Sequence, residues 1–251
     1  MKKSGKSGAL SYIKVVAAVL IIWQLFAMAL NIAFIPSPIE VLSNICEKFI
    51  SKIAVHTLLS LWRIFAGVIA SILVGVPLGL CMGYFPEWNK RLSPLLYFTY
   101  PIPKIALLPL VMLIFGLGEF SKIFMIMLIV VFQIVVSMRD TVRSIPKDTF
   151  YSMISLGARR WAIFRMVVIP ASLPTLFSSI RVSLGTALSV LFFTETFGTQ
   201  YGLGYFIMDS WMRVNYADMF SGILILGMMG LLLFGFVDIF ERIVCRWKTS
   251  E

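Results

Sequence analysis

Lys104 stands among Pro101, Pro103 and Pro109 in a stretch from Leu92 to Gly118 that carries no other charge, and Glu195 closes a second apolar stretch just before the glycine-rich run Thr196 to Gly204. Ionisable side chains inside apolar runs are candidates for contact with a passing solute, because burying them is costly unless a partner or a function offsets it. Proline removes a backbone donor, so the chain should break around Lys104. A cation at such a break can satisfy the freed carbonyls and line a cavity. The Glu195 carboxylate can bond the loop amides that follow it or act in an outer gate, and the structural role is the simpler of the two. Catalysis finds no support. His56, read as an interfacial residue, is the only histidine, and no His, Asp or Glu cluster has metal or catalytic spacing. Cys46, Cys81 and Cys245 fall in a loop, an apolar span and the tail, so no disulfide or cysteine metal site is expected. Gly5-Lys6-Ser7 imitates only the tail of a phosphate-binding loop, and no strand leads into it.

The second candidate is the segment SLGARRWAIFRMVVIPASLP, residues 155 to 174. Pro146 marks a helix start upstream, and Trp161, Phe164 and Val168 form an apolar stripe opposite Arg159 and Arg165. Gly157 offers a hinge, and Pro170 and Pro174 should end or bend the helix. The pattern reads as a short basic amphipathic helix lying across the inner face of a membrane. Spacing alone would only rest it among anionic headgroups.

These residues need a membrane to be positioned in. The 251 residues are 59% hydrophobic and 14% charged, with a mean hydropathy of +0.93, which is outside the range of soluble domains. A net charge of +10 would suggest nucleic acid in a soluble protein, but here the positions of the basic residues matter more than their sum. Apolar stretches at 15–35, 64–86, 92–118, 123–138, 166–194 and 219–237 predict an all-α protein with six crossings and both termini cytoplasmic. The stretch 123–138 is short unless it borrows residues beyond Lys122 or Arg139. Most of the 22 Lys and Arg residues then fall on the inner side, as the positive-inside bias requires. Arg181, inside the fifth stretch, is expected to snorkel inward. Ala27, Met28 and Ala29 also resemble a signal-peptide cleavage site, but the apolar run continues past them to Ile35 and fits a retained helix better. The expected division is 1–14 as an amino-terminal cytoplasmic segment, 15–35 as the first helix and 36–55 as an external loop. A transmembrane domain over 56–241 includes a cytoplasmic loop at 140–171, and 242–251 is a cytoplasmic tail.

On the second crossing Gly67, Ser71, Gly75, Gly79 and Gly83 recur every four residues, a small-residue stripe along one helix face. It serves equally as packing within the chain or as a seam between two copies.

Leu156-Gly157-Ala158, Trp161, Phe164, Ile169-Pro170-Ala171 and Leu173-Pro174 closely resemble the cytoplasmic loop of importer-type ABC transporter permeases. Ile35-Pro36-Ser37-Pro38, Gly75-Val76-Pro77-Leu78-Gly79, Pro101-Ile102-Pro103, Phe115-Gly116-Leu117-Gly118 and Gly202-Leu203-Gly204-Tyr205 resemble the sulfonate, taurine and nitrate branch of that family. The resemblance covers nearly the whole chain and implies a type I ABC importer permease fold. It also implies a coupling helix centred on Gly157, with Leu156, Ala158 and Arg159 beside it, docked on a separate ATPase subunit. The family's Glu-Ala-Ala before the glycine reads Tyr151-Ser152-Met153 here, and Asp148, on the same helix face, is the candidate substitute for the missing acid. The resemblance further implies an external solute-binding protein and a second permease copy as partners. ATP and Mg would be used by the ATPase, with no cofactor or metal on this chain. An ion-coupled secondary transporter would favour paired intramembrane acids, and a membrane enzyme would need gathered catalytic groups; neither set is present.

Overall fold

The computed structural model describes residues 4–30 and 34–248, and these form helices, turns and connecting loops with no strand among them. α1 spans Ser4–Leu30. The stretch 36–55, expected as an external loop, is mostly helical. Ser37 caps α2, Pro38–Lys48, accepting the Glu40 N–H at 3.2 Å, with Pro38 in the first turn. Proline before a helix reads as a breaker, but in the first turn behind a serine cap it is a start signal. A π turn at Phe49–Ile53 leads into α3, Ala54–Tyr84, so that Pro38–Tyr84 is one helical run.

The expected third crossing is broken. α4, Pro86–Thr99, and a helical run from Lys104 through α5, Leu108–Phe115, meet at 81° across the Pro101 and Pro103 break. α6, Glu119–Ser144, takes in the borrowed residues beyond Lys122 and Arg139 and so reaches a full crossing. α7, Lys147–Ser155, and α8, Arg160–Ile163, form the loop that follows. A π turn at Phe164–Val168 then feeds α9, Ile169–Glu195. α10, Leu203–Met212, and α11, Tyr216–Val244, complete the chain. By length and composition four helical runs can cross a membrane, and a fifth does if the bent pair counts as one span. α1 adds the apolar stretch Ala17–Ala29; residues 31–33 of the expected first crossing lie outside the described residues, so among the described residues four or five of the six expected crossings are found. Large apolar side chains stay exposed on α1, α3 and α11, Ile22, Leu73, Leu231 and Leu232 among them. A lipid-facing surface accounts for such a continuous apolar exterior.

α3, α6 and α9 form the centre. α3 and α6 run parallel and touch through the small-residue stripe. Cβ atoms built at Gly67, Gly75, Gly79 and Gly83 would lie 2.5–3.0 Å from Ile126, Ile134, Met138 and Val142, the partner being 59 residues further on in each case. Ser71, buried in the same seam, donates to the Gly67 carbonyl at 2.7 Å. The stripe therefore packs within one chain. Gly79→Ala would place a methyl 2.7 Å from the Val135 carbonyl oxygen, and overpacking of this kind costs about 1–3 kcal/mol. Thermal unfolding in detergent is expected to show a lowered midpoint for Gly79→Ala. Gly185→Ala, whose Cβ meets nothing within 4 Å, should hold or raise it, and equal midpoints for the two variants would refute the close seam.

Candidate functional site

At one end of the bundle α3, α6, α9 and α10 converge on a buried ionic node. Arg63 is 1% exposed. Its Nε and Nη2 both donate to Glu119 at 2.6 Å, while Nη1 donates to Glu195 Oε1 at 2.7 Å and to the Tyr201 carbonyl at 2.8 Å. Glu195, fully buried, also accepts from the Ser60 hydroxyl at 2.8 Å and the Gly204 N–H at 2.8 Å. Ser60 accepts the Leu203 N–H in turn, and the His56 ring nitrogen Nδ1 accepts the Gly202 N–H at 3.0 Å. A second cluster at the same end holds Asp218 against Lys48, Lys52 and Asn44. Glu195, named above as a candidate path residue, thus lines neither cavity described below. His56 is buried in the node rather than interfacial. Carboxylate and guanidinium each need the other, because either one alone would be an uncompensated charge in a low-dielectric core.

Between the break at residues 100–105, α6 and α9 lie two adjoining cavities, mostly apolar with a few polar groups. One, of about 520 Å³, is lined by Lys104, Ile129, Gly185, Thr186, Ser189 and Phe193, among others. The other, of about 410 Å³, is lined by Tyr100, Gln133, Ser137, Thr175 and the hydroxyls of Ser178, Ser179 and Ser183. The hydrogen bond from Gln133 Nε2 to Thr186 Oγ1, 3.3 Å, stands between them. Lys104 sits at the expected break. Its ammonium donates to the Thr99 and Tyr100 carbonyls at 3.3 and 3.4 Å and lies 4.5 Å from the centre of the Phe132 ring. Those are carbonyls that Pro101 and Pro103 help to leave short of helical donors.

At the opposite end lies the loop around Gly157. The sequence suggested one amphipathic helix there; the structure has the short α7 and, after the turn at Gly157, the start of the long run that leads through α8 into α9. Gly157, at φ +79°, ends α7: its N–H bonds the Ile154 carbonyl at 2.9 Å and the Ala158 N–H bonds the Met153 carbonyl at 3.0 Å. This is a Schellman cap, in which the left-handed position favours glycine. Nor do Pro170 and Pro174 end the following helix, which runs unbroken over Arg160–Glu195. Pro170 falls in the first turn of α9, and the π turn before it, where the Ile169 N–H bonds back to Phe164, already departs from the register a proline would break. A Cβ at Gly157 would meet nothing within 4 Å. Leu156 is 83% exposed, and Tyr151, Ile154 and Trp161 are exposed beside it. Asp148 is exposed in the first turn of α7, Ser152 bonds back to its carbonyl, and Arg159 is the exposed N-cap of α8.

Sequence reasoning missed what holds this loop. Tyr84 and Phe85, at the end of α3, contact Phe150, Trp161 and Phe164 with ring centroids 5.5–6.4 Å apart, and the Tyr84 hydroxyl donates to the Arg160 carbonyl at 3.1 Å. The aromatic pairs lie far apart in sequence, and only the start Tyr-Phe at a helix end hinted at them. Arg181, expected to snorkel inward, pairs with Asp238 and Glu241 near the end of α11, a partnership the sequence did not announce.

Residues 71–249 match the family model for the binding-protein-dependent transport system inner membrane component. The taurine transport system permease protein of Escherichia coli K12 is 29% identical over 86% of this chain and 82% of its own. The formylaminopyrimidine transport permease protein of Halalkalibacterium halodurans is 28% identical over 92% of this chain and 93% of its own. Among solved structures, an inward-facing form of the MetNI methionine ABC transporter shares the fold at a TM-score of 0.67, with 20% identity over 75% of this chain and 94% of that one.

Proposed function

The chain belongs to the family of binding-protein-dependent transport system inner membrane components, and from that premise we propose that it is the translocation subunit of an ATP-driven importer for a small anionic solute. Two copies of it form the path, an external protein delivers the solute, and separate ATPase subunits dock at the loop around Gly157 on the cytoplasmic side. ATP and Mg act in those subunits, and the chain itself performs no chemistry. When ATP draws the ATPases together, the docked loops move and the bundles reorient, opening the cavities outward; hydrolysis resets them. A ligand shifts such an equilibrium only through contacts that differ between the two states.

The observation that carries this reading is the uncovered loop. A glycine with open space above it and four exposed large apolar side chains around it, Tyr151, Ile154, Leu156 and Trp161, make a face that fits a protein partner. An ion-coupled carrier needs a carboxylate open to the path, whereas Glu195 is sealed by Arg63 and Ser60. The tagged chain purified in mild detergent is expected to bring an ATP-binding protein with it. Gly157→Asp, which sets a charge and a strained φ at the centre of the face, should lose that protein while keeping its melting midpoint within a few degrees. Absence of any ATPase with the wild-type chain would defeat the reading.

A further inference from the structure

The cavity beside Lys104 carries chemistry that membership in the family does not specify. Phe132, which the Lys104 ammonium faces, stands midway along α6, Glu119–Ser144, so the cation is about 20 Å from either end of the span. A charge at that depth needs a reason. Cations within the other helices have partners: Arg63 is held by Glu119 and Glu195, Arg181 by Asp238 and Glu241. Lys122, 1% exposed, is bound by the Leu117 and Gly118 carbonyls at 2.7 and 3.1 Å. Lys104 makes no ion pair among the described residues, and its two carbonyl contacts are long. It opens instead on the cavity of about 520 Å³, where its polar neighbours are the hydroxyls of Thr186 and of Ser189, the latter donating to the Gly185 carbonyl at 3.2 Å. Gly185 withholds a side chain from the same wall, and a Cβ there would meet nothing within 4 Å. Gln133, bonded to Thr186, has its Oε1 buried without a partner. With Gln133 Nε2 donating to Thr186 Oγ1, the Thr186 hydroxyl keeps its own proton for the cavity.

An ammonium without an ion pair and the free proton of the Thr186 hydroxyl, with the Ser189 hydroxyl beside them, give this cavity donors and one positive charge with no carboxylate on its wall. That set complements a compact oxyanion. We propose that Lys104, Thr186 and Ser189, with Gln133 orienting Thr186, form an oxyanion subsite at mid-depth of the path, where the charged head of the transported solute, a sulfonate or a similarly small oxyanion, pauses before passing to the adjoining cavity at Ser178, Ser179 and Ser183. This rests on the importer reading and adds to it the atoms that hold the solute. It also discriminates between relatives: one carries taurine, which bears a sulfonate, and another carries an aminopyrimidine, which bears no oxyanion. The Lys104 cavity places this chain with the first.

Binding of radiolabelled methanesulfonate to the full chain, with the subunits that accompany it, tests this in nanodiscs of zwitterionic phosphatidylcholine. Bound label should be displaced by unlabelled methanesulfonate but not by methanesulfonamide, its neutral analogue of the same shape. Lys104→Met should weaken binding about 10-fold or more, the effect of losing a charged hydrogen-bond donor. Lys104→Arg should keep most of the binding, and Thr186→Val should lose part of it. Equal binding by wild type and Lys104→Met, equal displacement by the sulfonamide, or no binding by the wild type overturns the subsite. Displacement of the label when phosphatidylglycerol is added at constant ionic strength would assign the cavity to a lipid headgroup and overturn it as well. If Lys104→Met melts well below wild type, Lys104→Arg and Thr186→Val decide the matter. A wild type that brings down its ATPase yet binds no methanesulfonate leaves the importer reading standing, whereas the absence of an ATPase removes that reading first.

Discussion

Arg63→Met is expected to lower the melting midpoint of the protein by roughly 6–20 °C, the largest stability effect of any single substitution considered. It would strand Glu195, fully buried at the end of α9, with only the Ser60 hydroxyl and the Gly204 N–H for company. Breaking one side of a buried pair costs about 3–5 kcal/mol, and at this chain length each kcal/mol shifts the midpoint by about 2–4 °C. The direction has a companion. Replacing both, as Arg63→Met with Glu195→Met, removes the desolvation cost along with the attraction and should recover much of the loss. Glu119→Gln should cost far less, since that side chain is 49% exposed and water can serve Arg63 in its place. Differential scanning fluorimetry in one detergent reads all three, and a double variant no more stable than the single would show that the node holds through geometry rather than charge balance.

The second large effect concerns transport. Phe164 touches Tyr84, Phe85 and Trp161 with ring centroids 5.5, 6.1 and 5.6 Å away, so it joins the loop to the end of α3. Phe164→Ala leaves Gly157 and Leu156 untouched but removes that join. An ATPase should still co-purify and hydrolyse ATP, while solute uptake in proteoliposomes falls about 5- to 150-fold, the range of a coupling free energy of 1–3 kcal/mol. Gly157→Asp should abolish both association and uptake. Unimpaired uptake by Phe164→Ala would mean that motion enters the bundle elsewhere.

Much of this was legible in the sequence, and the pattern of what was not is physical. Local signals worked. Prolines at 101 and 103 announced the break at Lys104, because a missing N–H acts on its own turn. The four-residue recurrence from Gly67 to Gly83 announced a close helix contact, though only the structure could say that its partner is α6. Gly157 was singled out correctly as special, but as a hinge; the actual bonds make it a helix cap. Pairings across distance were illegible. Arg63 and Glu195 are 132 positions apart, and nothing near either names the other, so the structural role preferred for Glu195 came without its partner. The prolines at 170 and 174, expected to end or bend the helix, do not end it: Pro170 falls in the first turn of α9, behind a π turn that a rule about single residues does not foresee.

α3 has a further property. From Arg63 to Tyr84 it runs about 30 Å, and over most of that length its glycines lie backbone to backbone against α6. Two helices in contact so close resist bending far better than either alone, as a laminated beam does. One extremity of the beam is bolted by Arg63 to Glu119 and Glu195; the other is clasped by the rings around Phe164. With α6 bracing it past Pro77, α3 loses less of a push at the clasp as flexure than a lone helix would. The rest arrives at the bolt as tilt or translation, so that the mechanical work of one end is spent on the other.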